Sequence, residues 1–296
     1  METTSPEKPA LKAALNNGEF VVAPGVQDMI SAIVANKVGF DFVYASGYWL
    51  MASAHGIPDA GIATYTQMLE RIAALVKTAD GAVIADADTG YGGLLNVHHT
   101  VRGYEDAGVS AIQIEDQEFP KKCGHTPYRR VVSDEEMIEK VKVACAARRS
   151  PESTLVIART DARQKEGLSR AIDRACAYGD AGADILFVEA LENEQEMRDA
   201  VATINKPMVA NMASGGYSPI LSVERLKDIG YAMAIFPALS SLAAAAAVEQ
   251  AFTSLKQKGD AASPGVPLFD FSEFCSRIGF KEIWAFERKW AADREE

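Results

Sequence analysis

Cysteine is scarce in this chain. Cys123, Cys145, Cys176 and Cys275 are too scattered for a CxxC metal or redox pair and too few for a disulfide framework in 296 residues. That pattern implies a reducing compartment, so a cytoplasmic location is expected, or an organellar one after loss of a transit peptide. Basic charge is also in deficit: Lys plus Arg is 30 against 41 Asp plus Glu, a net charge of -11. Such a balance disfavours nucleic acid as a partner, and a small anionic substrate needs positive charge gathered locally. No basic segment followed by an apolar one opens the chain, so no secretory signal is expected. Long hydrophobic runs are missing as well. The most apolar stretch, Tyr231 to Val248, is alanine-rich and broken by Pro237, Ser240 and Ser241, which falls short of a membrane span.

What is present is a rhythm of short strand-type runs and longer helix-type runs. Strands are expected at 19–23, 40–46, 82–88, 109–115, 154–160, 185–190, 207–212 and 231–237. Helices are expected near 27–37, 64–79, 96–107, 133–149, 167–181, 193–204, 221–229 and 238–258. Ser133-Asp134-Glu135-Glu136 reads as a capping box, and Gly39, Gly108, Gly182 and Gly230 stop helices before the next strand. Eight such repeats predict one (β/α)8 TIM-type barrel over residues 1–296, with an open doubly wound sheet as the alternative. After 258 the pattern changes to a proline and small-residue loop. A segment at 268–291 then carries Phe271, Phe274, Ile278, Phe280, Ile283, Trp284, Phe286 and Trp290, with a break expected at Gly279. So much apolar surface either folds back on the barrel or meets another subunit.

The chemistry gathers around residues 109–125. Ile112 and Ile114 fall on one face of a strand and Gln113 and Glu115 on the other, so Glu115 points inward. By the same alternation Asp86 and Asp88 share the face of Ile84, and Asp59 lies on the preceding connection. Three or four acidic groups in one barrel mouth repel one another unless a cation is present, and an all-oxygen set favours Mg2+, with Mn2+ as a substitute. Protonated carboxylates bonded in pairs are the metal-free alternative. Tyr44 and Ser46 share a face, and Ser46-Gly47-Tyr48 offers a hydroxyl and successive amides suited to a carboxylate. Arg159, aligned with Leu155 and Ile157, brings an inward guanidinium, and Glu189 and Asn211 end the next two strands. An Arg159–Glu189 pair can equally be a structural plug. Among the histidines, His98 and His99 diverge on a helix and His55 is ambiguous. Only His125 is well placed, two residues from Cys123, where it and the neighbouring lysines favour a thiolate. Cys145 and Cys176 read as packing residues.

Lys121-Lys122-Cys123-Gly124-His125, after a strand ending in Glu115-Asp116, resembles the signature of the isocitrate lyase and phosphoenolpyruvate mutase superfamily, in its carbon–carbon lyase branch. The resemblance runs from Pro24-Gly25 to the C-terminal helix. It implies that Ser46-Gly47 takes the pyruvate carboxylate and that Asp59, Asp86, Asp88 and Glu115 form the metal set. By the same resemblance Lys122, Cys123, Gly124 and His125 form the catalytic loop, with Arg159 and Glu189 on the substrate. It also implies a C-terminal helix swapped between subunits, hence a homo-oligomer built as a dimer of helix-swapped dimers, a homotetramer. Gly47-Tyr48-Trp49 departs from the glycine run of methylisocitrate lyases and is more similar to the petal-death and oxaloacetate-hydrolase branch, whereas Pro237 is the lyase-like residue.

The expected reaction is the cleavage of a 2-hydroxy (2-methyl) dicarboxylate or tricarboxylate, of the 2-methylisocitrate or 2,3-dimethylmalate type, to pyruvate and a second carboxylate. Mg2+ would stabilise charge on the C2 oxygen, Arg159 and His125 would hold the second charge, Cys123 would protonate the carbanion, and Tyr44 is the candidate for the alcohol proton. An oxaloacetate hydrolase or decarboxylase, a phosphonopyruvate-handling enzyme and a non-catalytic scaffold are the alternatives. The loop from Gln117 to Arg130 is expected to close over the substrate.

Overall fold

A computed structural model of the chain describes residues 8–126 and 128–290. It opens with α1 (Leu11–Asn16), followed by β1 (Val21–Pro24), α2 (Met29–Val38), β2 (Phe42–Ala45), α3 (Gly47–His55) and α4 (Tyr65–Thr78). Next come β3 (Ala82–Asp86), α5 (Leu94–Ala107), β4 (Ala111–Glu115), α6 (Asp134–Ala147), β5 (Leu155–Thr160), α7 (Arg163–Glu166) and α8 (Leu168–Asp180). The series ends with β6 (Ile185–Val188), α9 (Glu194–Thr203), β7 (Val209–Asn211), α10 (Val223–Ile229), β8 (Met233–Phe236) and α11 (Leu239–Lys258). All eight expected strands are present. The unforeseen helices α1, α3 and α7 have 6, 9 and 4 residues, too short to impose a clear period.

Five parallel strands run in the order β2-β3-β4-β5-β6, and three in the order β1-β8-β7. Parallel bridges from Gly25 to Tyr44 and from Leu186 to Met208 join the two groups at both edges. The Val26 amide donates to the Tyr44 carbonyl at 2.9 Å, and the Leu186 amide to the Pro207 carbonyl at 2.9 Å. The sheet therefore closes on itself, which excludes the open doubly wound alternative.

Alternation then sorts the side chains. Val21, Phe42, Ile84, Leu155, Ile157, Phe187, Val209 and Ile235 form an inner cluster, to which α1 adds Leu11 and Ala14. Val83, Ala85, Ile112, Ile114, Val156 and Ala158 face outward and join the shell of helices. Each large side chain buried this way contributes about 1.5–3 kcal/mol. The inner cluster occupies the earlier part of the strands, and polar residues take over where Asp86, Glu115, Arg159 and Asn211 end them. Among the helix signals, Gly39, Gly108 and Gly230 adopt left-handed caps with φ of 86°, 89° and 103°. The capping box expected at Ser133 is only half made: its oxygen accepts the Glu136 amide at 3.2 Å, but Glu136 turns to Lys140 at 3.4 Å instead of reaching back. Lys8 satisfies the end of α4, its Nζ donating to the carbonyls of Val76 at 2.5 Å and Ala79 at 2.8 Å.

The chain separates into two compact units, residues 1–241 and 242–296. The second begins inside α11, ahead of the expected 268–291 segment, and holds α12 (Phe271–Arg277) and α13 (Phe280–Trp290). Gly279, at φ 95°, breaks the two helices at the expected place. Asp270 caps α12 by accepting the Glu273 amide at 2.7 Å. Phe271, Phe286 and Trp290 are exposed. No described helix is long and apolar enough to cross a membrane.

Candidate active site

Four acidic side chains meet where β3 and β4 end. Asp86 Oδ2 accepts the Gly47 amide at 3.1 Å, at the start of α3, and a Cβ on Gly47 would lie 2.9 Å from that oxygen. Asp88 adopts a left-handed backbone with φ 50°, uncommon for a non-glycine residue though tolerated best by asparagine and aspartate, and its amide donates to Asp86 Oδ1 at 3.0 Å. Glu115 is 1% exposed, with Oε2 3.5 Å from Arg159 Nε and a buried Oε1 that has no hydrogen-bond partner. Asp59 and Asp88 are bridged by the buried Lys121 ammonium, at 2.5 and 2.7 Å.

Burial pushes the Asp88 carboxyl up to about 7, with Lys121 opposing and Asp86 and Asp59 adding to the rise. Burial also raises Glu115 well above the usual carboxylate range, against the pull of Arg159 and Lys121. As the side chains lie, no three acidic, histidine or cysteine groups among the described residues enclose an ion. The donor chemistry nonetheless fits a hard divalent cation. Crowded carboxylates, an orphaned carboxylate oxygen and, besides Arg159 at the Glu115 edge, a single ammonium as counterion form an oxygen set short of positive charge.

A second corner is built on Arg159. Asp161 grips its guanidinium with two bonds, from Nε at 2.8 Å and Nη2 at 2.9 Å. Glu189 Oε2 stands 3.2 Å from Nη2, and the Phe187 ring lies 5.1 Å beneath the fork. Asn211 Nδ2 donates to Glu189 Oε2 at 3.0 Å and lies 3.4 Å from His125 Nε2, while His125 Nδ1 and Asn211 Oδ1 are buried without partners. Gly216, after β7, sits so close to His125 that a Cβ there would lie 2.7 Å from Cε1.

The segment carrying Lys121 to His125 lies across the barrel mouth between these corners. The Cys123 amide donates to the Asp59 carbonyl at 3.2 Å, and Gly124 lies directly on Arg159. Gln117 holds the loop from inside, accepting the Lys122 amide at 3.0 Å and donating to the Lys122 carbonyl at 2.8 Å. Burial pushes the Cys123 thiol up, with the His125 amide, Arg159 and Lys121 opposing and Asp59 adding to the rise. This corrects the thiolate expectation: desolvation outweighs the nearby positive charge, and the thiol keeps its proton.

Two further expectations change. Lys122 is not in the mouth; it turns outward to a surface pocket shared with Tyr128, Arg130 and Lys165, its Nζ 5.7 Å from the Tyr128 ring. Lys121 holds the inner position. The Tyr44 hydroxyl donates to Gln113 Oε1 at 3.0 Å, and burial first, then Asp86, raises its pKa well above 10, so it is a poor acceptor for an alcohol proton. Ser46 precedes the first residue of α3 and is buried. Tyr48 is 38% exposed beside Trp49, and Pro237 follows β8 against Gly25. His55, His98 and His99 are exposed, and the His99 ring lies tilted against Tyr65 at 56° with ring centroids 4.7 Å apart.

The phosphoenolpyruvate phosphomutase family matches residues 11–256 of this sequence. The chain belongs to the phosphoenolpyruvate mutase and isocitrate lyase superfamily. It is 43% identical over 284 residues to the 2,3-dimethylmalate lyase of Eubacterium barkeri, covering 96% of this chain and 98% of that one. A 2-methylisocitrate lyase of Aeropyrum pernix is 37% identical, over 93% and 89% of the two chains. A solved structure of oxaloacetate acetylhydrolase with 3,3-difluorooxalacetate superposes with a TM-score of 0.88 at 32% identity, over 96% of each chain. The superfamily barrel is thus shared in full, and, like its named lyase relatives, this member is an enzyme of the carbon–carbon lyase group.

Two residues at the mouth, Lys121 and Asp161, escaped the sequence reading, and a third, Gln113, was placed on the inward face without a role. Lys121 was indistinguishable from Lys122, because an irregular loop has no period to assign its faces. Gln113 shares the inward face of Glu115, so alternation pointed to it; its Nε2 lies 3.5 Å from Asp86 Oδ1. Asp161 follows Arg159 by two residues beyond the end of β5, and that spacing was its only signal.

Proposed function

We propose that the enzyme cleaves the C2–C3 bond of a 2-hydroxy-2-methyl dicarboxylate of the 2,3-dimethylmalate type, releasing pyruvate and a second carboxylate. The tricarboxylate 2-methylisocitrate is the second reading, favoured by the relative from Aeropyrum pernix. The observation that carries the proposal is the place of Cys123 on a loop that spans the acidic cluster and the Arg159 corner, its amide donating to the Asp59 carbonyl at 3.2 Å and Gly124 lying on Arg159, and the burial that pushes its thiol up suits it to donate a proton. A proton donor there meets the requirement of carbon–carbon cleavage, in which the departing carbanion must be protonated at carbon.

Asp86, Asp88 and Glu115, with Asp59, would hold Mg2+ or Mn2+, which supplies charge stabilisation for the C2 oxygen when bound. A relative in the superfamily, phosphonopyruvate hydrolase, has been solved with oxalate and Mg2+. The α3 start at Ser46 and Gly47 would receive the carboxylate that becomes that of pyruvate. Arg159, with His125 and Asn211, would take the second carboxylate and hold it as the C2–C3 bond breaks. The C2 hydroxyl proton leaves to a carboxylate of the mouth as the C2–C3 bond breaks, the Cys123 proton passes to the carbanion carbon, and the thiolate left behind regains a proton before the next turnover; Gly124 lets the loop seat close enough for this transfer. Tyr44, fixed by Gln113, supports the inner wall.

The deciding experiment follows pyruvate release from 2,3-dimethylmalate, 2-methylisocitrate, isocitrate and citramalate, with oxaloacetate followed separately, each with Mg2+ and with EDTA. Pyruvate from a 2-methyl substrate, lost with EDTA, supports the proposal. Oxaloacetate turnover retained by Cys123→Ser, with no 2-methyl substrate cleaved, would replace it with a hydrolase or decarboxylase. We further propose that the apolar residues of 268–291 are covered by a second copy of the chain in a homo-oligomer. A monomer in light scattering would end that reading.

A further inference from the structure

Arg159 is outnumbered. Its one positive charge faces Asp161 through two hydrogen bonds, Glu189 at 3.2 Å and Glu115 at 3.5 Å. A guanidinium so surrounded has little charge left for a substrate carboxylate. Relief comes from the loop. The Arg129 side chain is 4% exposed, and its Nη1 donates to Asp161 Oδ1 at 2.6 Å, the oxygen that also accepts from Arg159 Nη2. Its remaining donors go to the Thr126 carbonyl at 3.2 Å and to Gln164 Oε1 on α7. Asp161 is fixed from behind as well, its amide donating to Asp116 Oδ1 at 2.9 Å.

We propose that Arg129 is a positioning residue that works through Asp161. When the loop is seated, Arg129 takes over part of the Asp161 charge, and Arg159 is released to receive the second carboxylate of the substrate. Seating brings one net positive charge to a corner that otherwise holds three carboxylates and one arginine. Carboxylate binding and loop seating then favour each other, because a coupling free energy acts equally in both directions. The inference rests on the proposed carboxylate-binding role of the mouth.

Oxalate and 3,3-dimethylmalate with Mg2+ present, and 2,3-dimethylmalate with EDTA so that it is bound without being cleaved, serve as probes in titration calorimetry on the whole protein, with trypsin cleavage at Lys121 to Arg130 read in parallel. Arg129→Met is expected to weaken the two four-carbon-chain diacids on the order of tenfold while leaving oxalate, which need not reach Arg159, nearly unchanged. Arg129→Lys keeps the charge but not the fork to Thr126 and Gln164. It is expected to restore most of the diacid affinity and the diacid-dependent protection from trypsin. Equal losses in the two variants would reduce Arg129 to a structural anchor and overturn the inference. Unaltered diacid affinity in Arg129→Met would do the same, and Arg129→Gln replaces that variant if it fails to fold. Failure of the unaltered protein to bind any of the three probes would instead remove the carboxylate-site reading beneath it.

Discussion

Gly124→Ala tests the closeness of the loop with the smallest possible change. A Cβ at Gly124 would lie 2.1 Å from Arg159 Nη2 and 3.0 Å from both Cγ and Oε2 of Glu189. Ordinary contact needs more than an additional ångström. Arg159 cannot give way cheaply, since Asp161 holds it with two bonds and the Phe187 ring lies beneath it. The loop must therefore ride up by about 1 Å, a displacement that costs on the order of 100-fold in rate when it separates reacting groups. That is about 2.7 kcal/mol of transition-state stabilisation. Steady-state turnover of the substrate found in the pyruvate assay measures it, with Mg2+ titration and thermal melting as controls. Melting should stay near the unaltered value, because Gly124 touches no residue of the inner cluster, and Mg2+ binding should change far less than turnover, only as far as the lifted loop draws Lys121 from Asp59 and Asp88. Turnover within threefold of normal would refute the claim that the loop seats against Arg159 during catalysis.

Removing the Lys121 ammonium leaves Asp59 and Asp88 without their shared counterion. Lys121→Met should therefore bind Mg2+ several-fold more tightly in calorimetry, since two cations in one acidic cluster repel, while turnover falls as the loop loses both ion pairs. Weaker Mg2+ binding would contradict this. Asp116 predicts a pH dependence of stability. Burial, with Asp161 adding to it, lifts its carboxyl from 3.8 to about 6. The folded state then holds a proton that the unfolded state has released, so stability falls as pH rises from about 4 to about 6, by on the order of 3 kcal/mol. Asp116→Asn, whose Oδ1 still accepts the Asp161 amide while an amide donor replaces the Oδ2 that accepts the Tyr178 hydroxyl at 2.9 Å, should flatten that fall in urea unfolding at pH 4.5 and 6.5. An equal slope in both proteins would assign the dependence to other groups.

Residues at strand ends were legible because a period of two leaves only two faces. Once Ile112 and Ile114 went to the helices, Gln113 and Glu115 had to enter the barrel, and Asp86 and Arg159 followed from Ile84 and Ile157 by the same rule. The closed barrel needed more, since strand order across the Gly25–Tyr44 and Leu186–Met208 bridges is written in contacts far apart in sequence. Loop residues were legible only as a set. Nothing local says that Lys121 is buried and Lys122 turned outward, or that Arg129 reaches back to Asp161, because those choices are made by acids distant in sequence. The thiol state of Cys123 was misread for a related reason: charge can be counted in sequence, but the desolvation that outweighs it cannot.

The two ends of the active-site loop are stitched to each other. Gln117 and Val131 form an antiparallel bridge, the Glu118 amide donates to the Arg130 carbonyl at 2.8 Å, and Glu118 and Arg130 pair at 2.7 Å. If the loop opens, as proposed, a segment with a sewn neck would swing as a flap about that neck instead of fraying one residue at a time. On the proposed roles, Lys121, Cys123 and Arg129 would then arrive and depart together, and proton donor, counterion and carboxylate relief would reach the mouth in one stroke.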